Sequence, residues 1–86
     1  MALKEPKFHK GDLILIELDF PAFVYENQIS KDYISIYAFG IEDEWGSEYP
    51  EKAVKIEKER FFSACEDRGY KKDYIVQKAK EFKVEL

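Results

Sequence analysis

The chain predicts an α+β domain in which a small antiparallel sheet comes first and one or two helices pack on it last. Two observations carry this. The first half holds short β-branched and aromatic runs separated by turn residues, whereas from Pro50 onward strong helix formers dominate. A third concerns size: 86 residues, read as a single domain over 1–86, must bury a core efficiently, and seven Phe, six Tyr and one Trp supply the area.

Lys10-Gly11-Asp12 is turn chemistry, and the run from Leu13 to Phe20 that follows reads as a strand over about 12–20. Ile14, Ile16, Leu18 and Phe20 fall on one face and are expected inward, leaving Glu17 and Asp19 to solvent. Pro21 has no N–H for a ladder and marks a bulge, an edge or the end of pairing. Glu26 to Asp32 reads as a hairpin loop, and a second strand follows over about 33–41. In it Ile34, Ile36 and Ala38 suit a tight core face, while Tyr33, Ser35, Tyr37 and Phe39 form a broader one. Gly40 and Gly46 bracket an acidic turn, Glu42-Asp43-Glu44-Trp45.

Residues 50–57 are open to two readings, because Val54 and Ile56 alternate with Lys55 and Glu57 as a third strand over about 53–57 would, within a helix-favouring context. A helix over about 58–68 ends at Gly69. A second over about 73–84 starts at Asp73 and carries Ile75, Ala79, Phe82 and Leu86 in one stripe. If 53–57 is a strand, the turn placement also suits an alternative, a small SH3-like barrel with a helical tail.

Charge is distributed unevenly. Residues 17–51 hold nine acids against one base, Lys31, a local −8 in a chain whose net charge is −4. Gathered on one surface, those carboxylates would attract a basic partner and repel nucleic acid and anionic membrane. No apolar run is long enough to cross a bilayer, and the N-terminal residues do not read as a signal peptide. One cysteine, Cys65, cannot form an internal disulfide, so a reducing, cytoplasmic setting is expected.

The residues for familiar chemistries are missing. His9 is the sole histidine, sits among lysines in a segment expected to be loosely held, and shares no motif with Cys65, which reads as a small buried helix residue. One Cys and one His cannot build a usual zinc site, and Glu42-Asp43-Glu44 lacks the spacing of a calcium loop. Glu17 and Asp19, about 7 Å apart on an extended strand, are explained by solvent-facing alternation. Glycines are too dispersed to cradle a phosphate. No enzyme, cofactor or metal is expected.

The residues expected to bind a partner are Glu17, Asp19, Glu42, Asp43, Glu44 and Glu48 as a field, with Trp45, Tyr49 and Tyr37 as aromatic anchors. The competing reading of Trp45 and Tyr49 is that they turn inward to cap the core. The function expected is a non-catalytic domain whose acidic face binds a basic protein. By analogy of charge and size it is an inhibitor of a nucleic-acid-processing enzyme, as phage anti-defence and bacterial immunity proteins are. The alternative is a nucleic-acid-binding domain that uses the C-terminal lysines and stacks bases on Tyr33, Tyr37 and Phe39. A third reading is a subunit of a larger assembly or homo-oligomer, with Ile75, Phe82 and Leu86 exposed.

Overall fold

A computed structural model describes residues 5–86. Five antiparallel strands, β1 (Leu13–Ile16), β2 (Phe20–Val24), β3 (Ile34–Phe39), β4 (Asp43–Glu48) and β5 (Ala53–Lys55), lie in the order β4-β3-β2-β1-β5. Two helices follow, α1 (Lys58–Asp67) and α2 (Lys72–Glu81), giving the α+β arrangement with C-terminal helices. The strand reading of 53–55 holds, and both helices lie within a few residues of the expected bounds.

Two strands depart from expectation. The run over 12–20 is not one strand: it reverses at Glu17-Leu18-Asp19 so that Phe20 pairs with Ile16 and a separate strand continues through Pro21 to Val24. Leu18, expected inward, is 72% exposed at the tip, and Glu17 and Leu18 both take positive φ (54° and 60°). Backbone and side-chain contacts hold this tight loop without glycine: Glu17 N–H to Lys52 O (2.8 Å), Asp19 N–H to Ile16 O (3.0 Å), and ion pairs from Lys52 to Glu17 (3.1 Å) and from Arg68 to Asp19 (2.7 Å). The second departure is the acidic turn, which is largely strand β4, paired along its whole length with β3 from Ile34↔Glu48 to Phe39↔Asp43.

Hydrogen bonding along β2 explains how Pro21 is tolerated. Tyr25 donates to Ser35 O (3.1 Å), so alternate β2 residues, Tyr25, Phe23 and Pro21, turn their amide positions toward β3. The β2–β3 ladder ends at Ala22↔Ala38, one residue short of the proline, so its missing N–H interrupts no pair.

The three central strands, β1, β2 and β3, are buried on both faces. On one, Leu13, Phe23, Tyr37 and Phe39 pack against Phe61, Phe62 and Cys65 of α1 and Ile75 and Ala79 of α2. Phe82 closes this layer, its ring 5.2 Å from Tyr37 and 6.0 Å from Phe23. On the other face Ile14, Ile16, Ala22, Val24, Ile34 and Ile36 are buried together with Phe8 and Ala53, with no residue of α1 or α2 in the cluster.

Curvature makes that second core possible. Glu48 ends β4 at one edge and Ala53 begins β5 at the other, joined through a short 3₁₀ turn, Pro50–Lys52. Five extended steps span at most about 18 Å, whereas four flat strand spacings need about 19 Å. The sheet therefore coils around its own apolar face. β4 and β5 do not pair, so the sheet stays open and the SH3-like closed barrel is not formed.

The segment around His9, expected to be loose, is pinned instead. Buried Gln28 accepts from the N–H groups of Lys7 (3.1 Å) and Phe8 (3.2 Å) and donates to Ser30 O (2.8 Å), seating Phe8 in the core. At the end of α1, Gly69 takes φ 88° and the N–H groups of Gly69 and Tyr70 close on Glu66 O and Cys65 O, the glycine stop expected there. Lys83 does the same for α2 at φ 60°, with Val84 N–H on Ala79 O, so that helix ends earlier than its apolar stripe implied. Cys65 is buried, and burial pushes its thiol up to about 12.

Candidate functional site

Strand β4 positions the groups of interest through its register. Opposite residues of an antiparallel pair share a face, so Glu44, Gly46 and Glu48 stand with Ala38, Ile36 and Ile34 on the coiled inner face, while Asp43, Trp45 and Ser47 stand on the helix side. The inner face beside β4 opens into a groove of about 470 Å³. Its floor is Ile16, Phe20, Ile36 and Ala38, and Glu42, Glu44, Glu48, Ile41 and Trp45 rim it.

The expected acidic residues fall into two groups. Glu17 pairs with Lys52 Nζ (3.1 Å), Asp19 pairs with Arg68, and Arg68 also lies over the Phe20 ring at 4.5 Å. Those two carboxylates fasten a turn. Asp43 faces the helices, accepting from Tyr37 Oη (2.5 Å) and from Tyr74 Oη. Burial opposes its ionised form, yet the two phenol donors, a backbone N–H and Lys78 nearby together hold the carboxyl below the usual range. Burial first, and Asp43 second, raise the Tyr37 phenol well above the ordinary value; at Tyr74 the bond to Asp43 leads.

Glu42, Glu44 and Glu48 differ, since none of them makes an ion pair among the described residues. Glu48 accepts only from the neighbouring Tyr49 N–H (2.8 Å). The aromatic residues also divide. Trp45 and Tyr49 are 68% and 57% exposed, against the reading that turns them inward, while Tyr37 is buried and stacked on Phe23. Trp45 therefore stands exposed on the face of β4 away from the groove floor, Tyr49 lies beyond the end of β4 near Lys52, and Tyr37 belongs to the core.

The groove floor and Gly46 escaped the sequence reading. The signal for them was present: Glu44, Gly46 and Glu48 alternate with Asp43, Trp45 and Ser47 as a strand does, but the charge and glycine density read as a turn. Among the described residues no group of three or more His, Cys, Asp or Glu is arranged to hold a metal ion, and no helix is long and apolar enough to cross a membrane. No protein-family model matches this chain, and no curated protein or solved structure matches it significantly.

Proposed function

We propose that this chain is a non-catalytic, cytoplasmic interaction domain that binds a basic protein through the β4 face. The observation that carries this reading is the set of three carboxylates, Glu42, Glu44 and Glu48, none of them in an ion pair among the described residues, on the rim of a groove with an apolar floor. Such a rim favours Lys or Arg, and the floor offers area that a solvated acidic turn would lack. A nucleic-acid-processing enzyme, whose substrate channel is basic, is the class of partner that this charge suits, and occupying that channel would inhibit it. Base stacking on Tyr37 and Phe39 has less support, since both rings are buried beneath the helices.

The test is affinity capture from the native host with the wild-type chain and with Glu42→Lys/Glu44→Lys/Glu48→Lys. A basic protein retained by the first and lost by the second, with association that slows as salt rises, supports the proposal. A partner captured equally by both chains overturns it.

A further inference from the structure

We infer that the groove is filled by an extended basic segment that adds to the free edge of β4 as a sixth strand, carrying the pattern Lys/Arg-x-aliphatic-x-Lys/Arg. This rests on the basic-partner reading above and specifies its chemistry. Three observations point to it.

The first is the backbone of β4. Because Tyr25 donates to Ser35 O, the amide groups of Ser35 and Tyr37 face β2, and those of Ile34, Ile36 and Ala38 face β4. Their partners Glu48, Gly46 and Glu44 thus spend their amides on β3, leaving the N–H and C=O of Trp45 and Ser47 pointing out of the sheet. β4 is an edge strand six residues long, with no proline, lysine or bulge to blunt it.

The second is Gly46. It sits in register opposite Ile36, it is not among the residues at positive φ, and a Cβ built there would meet nothing within 4 Å. Neither backbone conformation nor packing among the described residues calls for glycine. A strand-interior glycine without a bulge often marks a tight bend or a place where another backbone or a ligand comes close. Here the missing side chain leaves open the way from the edge to the apolar floor.

The third is spacing. Glu44 and Glu48 flank Gly46 on the same face, two residues to either side, so a strand laid along β4 places one side chain over the gap and its i±2 neighbours beside the two carboxylates. Charge selects the occupant. A second copy of this chain pairing through β4 would set Glu44 and Glu48 against the same acids, whereas a segment with Lys or Arg at those places neutralises both.

The probe is the synthetic peptide TKTITKT, end-capped and fluorescently labelled, titrated into the full chain at low salt. Its isoleucine lies over Gly46, its lysines beside Glu44 and Glu48, and the two threonines flanking the isoleucine pair with Trp45 and Ser47. We expect N-methylation of those two threonine amides to weaken binding at least tenfold with charge unchanged. Gly46→Leu, which has room to fold, should do the same while its amide spectrum elsewhere stays that of the parent. Peptides bound alike with and without N-methylation, or by Gly46→Leu as by the parent, overturn strand addition. If Glu44→Lys/Glu48→Lys still abolishes that binding, the basic-partner reading survives its loss. No binding of the parent peptide at millimolar concentration, or pairing of β4 with a second copy in solution, also overturns the inference.

Discussion

Tyr74 on α2 donates to the carboxylate of Asp43 on β4, 31 positions away in the chain, and Tyr37 donates to the same oxygen from beneath. This anchors the start of the edge strand to the last helix. Tyr70 extends the anchorage by donating to Gly40 O (2.9 Å), so the β3–β4 hairpin is held at its turn while its inner face stays open.

Asp43 gives the anchorage a pH dependence. Its carboxyl titrates below the ordinary value, so its contribution is complete above about pH 4, the unfolded value, and is lost as pH falls through the lower folded value. Asp43→Ala should cost about 1–2 kcal/mol at pH 7, charged hydrogen bonds being the stronger kind and this one partly screened. Urea unfolding at pH 7 and pH 3 checks this: the variant should lose less stability than the parent on acidification.

At alkaline pH the sign reverses. Burial and the Asp43 carboxylate keep Tyr37 protonated in the folded chain after an unfolded tyrosine, near pH 10, has ionised. Stability should therefore fall as pH rises above about 10. Tyr37→Phe should flatten that fall, and ultraviolet titration of the parent should show this phenol ionising only with unfolding.

The β1–β2 loop predicts a gain. Leu18 holds φ 60° while largely exposed, a conformation that costs an ordinary residue roughly 1 kcal/mol. Leu18→Gly removes that cost and adds chain entropy to the unfolded state, for a net rise of about 0.5 kcal/mol. A higher denaturation midpoint with an unchanged slope is the expected result.

That loop also shows where sequence reading stopped. Ile14 and Ile16 inward, Cys65 buried beside Phe61, Gly69 as a helix stop and the Ile75–Ala79 stripe all follow from local periodicity, and the structure has them. The reversal at Glu17-Leu18-Asp19 has no local signal, because Lys52 and Arg68, far along the chain, hold it. The acidic field divided for the same reason: whether a carboxylate is free depends on which distant cation or phenol reaches it, as Arg68 reaches Asp19 and Tyr74 reaches Asp43. Pairing between β4 and β3 then sends Glu44 and Glu48 to the groove and Asp43 to the helices.

Amide hydrogen exchange along β4 reads the open edge itself, first on the free chain and then with the basic peptide bound. Glu44, Gly46 and Glu48 should be protected in the free chain while Trp45 and Ser47 exchange freely, and the peptide should protect those two. Protection of Trp45 and Ser47 before any peptide is added, or peptide-induced protection confined to the lysine-bearing surface of α2, would contradict strand addition there.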